Sequence, residues 1–359
     1  MKLLIRVDGS IKIGSGHVMR CLAIAQAWQD SQGKPMFVMA HPASPLEERL
    51  KLEDMAVIHL AAEPGSLADA QETAALAAQY EASWVVVDGY QFGSDYQKAI
   101  KAFGLRLLFI DDYGHADHYY ADIVLNQNIS ADEQWYQHRE ANTQLLLGAR
   151  YALLRREFWQ WRDWQRTVSP IAKKVLVTLG GSDPDNVTLK VIQALQLVEQ
   201  EELEIVVVVG GSNPHYASLD IAAQDSRFPI CLERNVTNMP ELMVWADVAI
   251  SAGGSTCWEL AFMGLPSLLI IIAENQRTIV EQLAALKCAM NLGWHDLLNV
   301  DSLTSSVQSL SLTQSARFAM KALLQQAVDG LGSDRVVTHL LECSSPLAAQ
   351  TNPPLKVQQ

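Results

Sequence analysis

Cysteine is scarce in this chain of 359 residues. Its five cysteines, Cys21, Cys231, Cys257, Cys288 and Cys343, are odd in number, widely spaced and never form a CxxC pair. That pattern argues against a disulfide framework and against a zinc site. Long hydrophobic runs are missing as well. The most apolar stretch, 265–273, is about half as long as a membrane span and contains Pro266, so it reads as a buried strand. Positive charge is in short supply: 27 Lys and Arg stand against 40 Asp and Glu, for a net charge of −13. Nucleic acids and anionic membranes need a basic face, so neither is expected as a partner. A small phosphate ligand stays open, because backbone N–H groups can hold it. There is no HExxH, no Walker loop and no G-x-S-x-G elbow. No metal and no cofactor is expected. The opening MKLLIRVDGS offers only Leu3, Leu4 and Ile5 before Arg6 and Asp8, which is not a leader pattern. The reducing cytoplasm is the expected compartment.

What the chain does contain is 49% hydrophobic and 19% charged residues, the balance of a folded protein. Its length suits two domains. Short β-branched runs alternate with helical spacing. Strands are expected over 2–7, 35–40, 84–88 and 106–110, with helices over 16–32, 66–80 and 94–103. The pattern then repeats, with strands over 173–178, 205–209, 248–251 and 266–272 and helices over 184–197, 237–245 and 255–263. Nearly continuous apolar strands alternating with helices imply a parallel sheet covered on both faces. The fold class is therefore α/β, with two doubly wound, Rossmann-like domains. The Arg- and Trp-rich segment 155–170 ends in Ser169-Pro170 and is expected to link 1–154 to 171–342. The Pro-, Ser- and Gln-rich end, 343–359, is expected to be a disordered tail. Two such halves suggest a ligand held in the cleft between them, at the carboxyl ends of strands.

Three glycine loops sit at strand ends. The first, Gly14-Ser15-Gly16-His17, places a histidine in the first turn of a helix. The positive end of a helix dipole favours neutral imidazole, the form a general base requires. A plain capping turn with an incidental histidine fits equally. The second, Gly180-Gly181-Ser182-Asp183-Pro184-Asp185, offers Ser182 or Asp183 as N-cap and Pro184 at the first helical position. Its glycines allow close approach of another backbone or of a phosphate. The third, Ser251-Ala252-Gly253-Gly254-Ser255-Thr256, precedes a helix carrying Glu259. Amides there can hold an anion, and Glu259 can accept two bonds from vicinal ribose hydroxyls. A strand–turn–helix with a solvated glutamate is the alternative. Asp111 and Asp112 read as polar lining rather than cation ligands, and His115 and His118 as surface residues.

Taken together, several ordered motifs carry a family resemblance. They are IRVDGSIKIGSGHVMRCLAIA, VVVDGY, FIDDYGH, LNQN, GARYALLRREF, TLGGSDPDN, RNVTNMPELMVWADVAISAGGSTCWELAFMGLP, IIAENQ and DGLGSDRV. Over roughly residues 1–341 the chain resembles the UDP-2,4-diacetamido-2,4,6-trideoxy-β-L-altropyranose hydrolases of pseudaminic acid biosynthesis, members of the GT-B superfamily. The resemblance implies a GT-B-like fold, a UDP-sugar substrate and removal of UDP by water attack at the anomeric carbon without a metal. It implies that His17 is catalytic. Arg6, Asp8, Gly14, Gly16, Tyr90, Asn275 and Gln276 would meet the substrate's sugar end. Gly180, Gly181, Gly253, Gly254, Ser255 and Glu259 would hold UDP, with the main chain of Val236 reading uracil. Trp258 departs from relatives that carry Asn there. Other enzymes of the pathway are conceivable partners. A GT-B glycosyltransferase, or a nucleotide-sugar binding protein without turnover, are the alternative readings.

Overall fold

A computed structural model describes residues 1–10, 14–42 and 44–344. The expected tail falls almost wholly at 345–359, outside the described residues. Two parallel sheets form the body. The first joins β1 (Lys2–Val7), β2 (Lys34–Met39), β3 (Ala56–His59), β4 (Trp84–Asp88), β5 (Leu107–Ile110), β6 (Ile123–Asn126) and β7 (Gln144–Leu147) in the order β3-β2-β1-β4-β5-β6-β7. The second joins β8 (Lys174–Thr178), β9 (Glu204–Val209), β10 (Ile230–Arg234), β11 (Val248–Ala252), β12 (Ser267–Ile271) and β13 (Met290–Trp294) in the order β10-β9-β8-β11-β12-β13.

The central strands bury both faces. Every residue of β4, β5, β11 and β12 is buried, which is why they read as unbroken apolar runs. In each sheet the strand order reverses once, between β1 and β4 and between β8 and β11. The crevice outside such a switch point is where doubly wound sheets bind ligands. All three glycine loops, and the loop after β4, leave strands flanking these two points.

Two segments tie the halves together. The 155–170 stretch is not a loose connection. Its 3₁₀ turn Arg156–Trp161 sinks Phe158 into the core of the second half. Arg156 meanwhile bonds Gln26, Asp30 and Glu53 of the first half. The second segment is the helix Gly332–Ser344. The sequence groups it with the 171–342 unit, yet Val336, Val337 and Leu340 pack into the core of the first half beside Val18, Leu22 and Trp84. The Trp84 indole also donates to the Leu340 carbonyl at 3.0 Å. The reason is apolar matching: one face of that helix is buried, and the helix Gly16–Asp30 offers Cys21, Leu22 and Ala25 opposite it. None of the described helices is long and apolar enough to cross a membrane.

Leu340 is fully buried. Leu340→Ala should therefore cost about 2–5 kcal/mol of unfolding free energy, read from urea denaturation followed through Trp fluorescence. A loss under about 0.5 kcal/mol, typical of surface sites, would mean the helix does not hold the first half together.

Candidate active site

A cavity of about 480 Å³ lies between the two halves. The first half lines it with Gly14, Gly16, His17, Arg20, Tyr90 and Asp112, and the second with Gly180, Gly181, Gly253, Gly254, Ser255, Asn275 and Gln276. His17 stands in the first turn of the helix Gly16–Asp30 and is 8% exposed. Its Nδ1 lies 2.7 Å from Asp88 Oδ1. An ionised carboxylate only accepts, so this contact puts the proton on Nδ1 and leaves Nε2 as the basic nitrogen.

Arg20, one helical turn on from His17, organises the rest. It grips Asp88 with Nε at 2.7 Å and Nη2 at 2.6 Å, and Asp112 with Nη1 at 2.7 Å. Asp112 also accepts from the Tyr90 hydroxyl at 2.8 Å and the Asn128 amide at 3.1 Å. Burial alone would raise the Asp88 carboxyl; the charge of Arg20, helped by His17, outweighs it and holds Asp88 well below the ordinary carboxylate range. Asp112 is lowered for the same reasons, burial opposing and Arg20 prevailing. Burial and the neighbouring Asp112 charge raise Tyr90, so its hydroxyl keeps its proton. Across the cleft the Asn275 amide donates to the Tyr90 oxygen at 2.8 Å.

A second cavity, of about 290 Å³, shares Ser15, Gly16, Gly180, Gly181, Ser255 and Thr256 with the first and adds Val236 and Glu259. Glu259 lies in the first turn of the helix Thr256–Phe262. Its Oε1 accepts from Arg155 at 2.8 Å. Burial pushes the Glu259 carboxyl above its ordinary value; Arg155 pulls it back and Glu157 adds to the rise.

The cavities gather most of the residues expected from sequence, with exceptions. Arg6 and Asp8 do not line either cavity. Arg6 is fully buried, forks onto Asp69 at 2.9 and 2.8 Å and pairs with Asp8 at 2.8 Å. Two buried carboxylates demand that cation, so it is held in the core. Asp8 reaches the cavity only through Gln91, whose amide it accepts at 3.2 Å. Close backbone approach explains Gly181: a Cβ there would lie 2.7 Å from Ser15 Oγ of the other half. The helix expected from Pro184 begins instead at Val187. Asp183 still caps it, accepting from the Val187 and Thr188 amides at 2.8 and 3.0 Å. His115 is not on the surface; it packs beside Asp111, and its Nε2–H donates to the Phe92 carbonyl at 3.2 Å. Asp112, expected as polar lining, does line the cavity; Asp88, Arg20 and Arg155 were not singled out by sequence. A signal existed: Arg20 is i+3 from His17, and Asp88 and Asp112 end or follow neighbouring strands.

Residues 175–331 match the model of the Glycosyltransferase family 28 C-terminal domain. An Acinetobacter baumannii MurG structure superposes with a TM-score of 0.65 at 15% identity, covering 95% of this chain and 100% of its own. An S. aureus MnaA–UDP structure gives 0.67 at 12% identity and covers all of both chains. The fold is GT-B. An uncharacterized protein, MJ1062 of Methanocaldococcus jannaschii, is 27% identical over 283 residues, 77% of this chain; the chain spans 57% of that relative's length. A Campylobacter jejuni protein named UDP-2,4-diacetamido-2,4,6-trideoxy-beta-L-altropyranose hydrolase is 26% identical over 290 residues, 79% of this chain and 96% of its own.

Because the folded state depresses Asp88, its ion pair supports stability above about pH 4, the ordinary carboxylate range. That support is lost as the pH falls below it toward the depressed value. Asp88→Asn should cost about 3 kcal/mol at neutral pH, and the difference from wild type should shrink toward about pH 2. Guanidinium denaturation across that range reads it. An equal penalty at both ends would mean that shape, not charge, is what Asp88 supplies.

Proposed function

We propose that this protein hydrolyses a UDP-linked 2,4-diacetamido-2,4,6-trideoxy sugar at the anomeric carbon, releasing UDP and the free sugar for pseudaminic acid biosynthesis. One observation carries the reading: an imidazole oriented by a buried carboxylate faces, across one cavity, a glycine loop that opens a helix. The name and near full-length match of the Campylobacter jejuni relative support the choice of substrate.

In this reading UDP lies along the second half. Its diphosphate meets the Gly253–Ser255 amides, its ribose meets Glu259, and its uracil meets the Val236 main chain. Water sits between His17 and C1. Its oxygen forms the new bond to C1, the C1–O bond to phosphate breaks, and UDP leaves with the electron pair. His17 Nε2 takes the proton. Asp88, holding Nδ1 at 2.7 Å, keeps the ring oriented while Nε2 takes that proton. Attack opposite the leaving group inverts C1. The oxygens of Asp112 already accept from Arg20, Tyr90 and Asn128, and Asp111 accepts from the Tyr113 and Gly114 amides. These carboxylates thus serve the protein's own donors. The described residues hold no group of three or more His, Cys, Asp or Glu placed for a metal ion.

His17→Asn should lower hydrolysis at least about 100-fold, the usual worth of a positioned base, while UDP affinity by calorimetry changes little. Retention of a tenth of the wild-type rate would remove His17 from the chemistry. In ¹⁸O-water the label should appear on the sugar C1 hydroxyl; label in UDP would mean attack at phosphorus. The family 28 domain match favours a second reading, transfer of the sugar to an acceptor hydroxyl. Release of UDP and free sugar from the donor alone separates hydrolysis from transfer.

A further inference from the structure

Arg155 belongs to the segment that joins the two halves, yet its side chain lines the second cavity. It is 8% exposed. Nη2 donates to Glu259 Oε1 at 2.8 Å, while Nη1 meets only the Met19 thioether at 3.3 Å. Nε forms an ion pair with Glu157 Oε1 at 3.0 Å. This buried guanidinium is thus shared between two carboxylates, one of which, Glu259, lines the same cavity.

We propose that Arg155 is a positioning residue for the nucleotide, holding the Glu259 carboxylate charged and aimed so that it accepts both ribose hydroxyls. The proposal rests on the UDP reading given above. A carboxylate offers about four acceptor positions. Arg155 takes one, so enough remain for a vicinal diol. Without a cation, burial favours the protonated acid, which can accept less and carries no charge to strengthen the bonds.

The charged groups around Glu259 come from three elements. Arg155 and Glu157 lie on the joining segment, and Glu157 pairs in turn with Arg49 at 3.3 Å. Arg49, on the helix Ser44–Leu52, also pairs with Glu53 at 3.1 Å. Glu53 in turn holds Arg156 at 3.2 Å. On Glu259's own helix the buried Cys257 thiol is pushed up to about 12 by burial and is neutral. Among the described residues Arg155 is thus the cation that touches Glu259, and Glu157 is the carboxylate that competes for it.

The test is calorimetric affinity for UDP and for 2′,3′-dideoxyuridine diphosphate between pH 6 and 8. Both ligands carry the same titrating phosphate, so the ratio of the two affinities isolates the ribose contact. Arg155→Met should lower that ratio about tenfold at pH 7, the worth of a bond to a charged group, and further at pH 6. Dideoxy affinity should stay within about twofold, and Arg155→Lys, which keeps the charge, should recover most of the ratio. Equal losses for both ligands would overturn the proposal while leaving UDP binding intact. Should Arg155→Met fail to fold, Arg155→Gln takes its place with the same expected loss of ratio, and an unchanged ratio overturns the role of Arg155. A wild-type protein that binds neither ligand would instead sink the nucleotide reading, and this proposal with it.

Discussion

A buried guanidinium stretched between two carboxylates governs the first half's side of the cleft. Arg20 holds Asp88 on one side and Asp112 on the other, and each carboxylate then fixes a ring: Asp88 the imidazole of His17, Asp112 the phenol of Tyr90. The two rings meet edge-on with centroids 4.9 Å apart. Breaking such a cluster at one member leaves the others buried and unpaired, so its parts stand or fall together. The sheet makes the cluster possible. Asp88 closes β4 and Asp112 follows β5, and parallel pairing brings these strand ends side by side above the helix that carries Arg20.

The second half works by a different economy. It brings few charged side chains to the cavity and relies on backbone. Gly253 and Gly254 open a helix whose buried face, Cys257, Trp258 and Leu260, is anchored in the core, so the amides at its start are held stiffly. A Cβ on Gly253 would lie 2.3 Å from Val280 Cγ2, which keeps that position small. Acid–base groups thus sit in one half and dipoles in the other. Asn275 and Tyr90 bridge the two directly.

Much of the architecture could be read from the sequence, for a physical reason. Strands buried on both faces are largely apolar, so β1, β4, β8, β11 and β12 announced themselves. The edge strand β3 and strand β13 carry partly exposed residues throughout, and their mixed composition hid them. At the site, glycine loops at strand ends were legible because backbone approach needs glycine. Arg6 and Arg20 show the converse. Both are arginines near carboxylates in the first half, one locked in the core and one at the cavity wall, and only tertiary neighbours distinguish them. Arg155 was hidden because it stands in a segment that composition marks as a mere connection.

The return of the last described helix to the first half means that the polypeptide crosses between the halves twice, once at 155–170 and once before Gly332. A single crossing would act as a swivel, free to twist as well as bend. Two crossings act as a pair of pins, which define an axis and leave mainly the motion that opens and shuts the cleft about it. His17 and the Gly253–Ser255 loop then meet along one repeatable path rather than through a search over orientations. The first half is, in consequence, discontinuous in the chain. Its core becomes complete only once Leu340 has been synthesised, long after the last strand of its sheet.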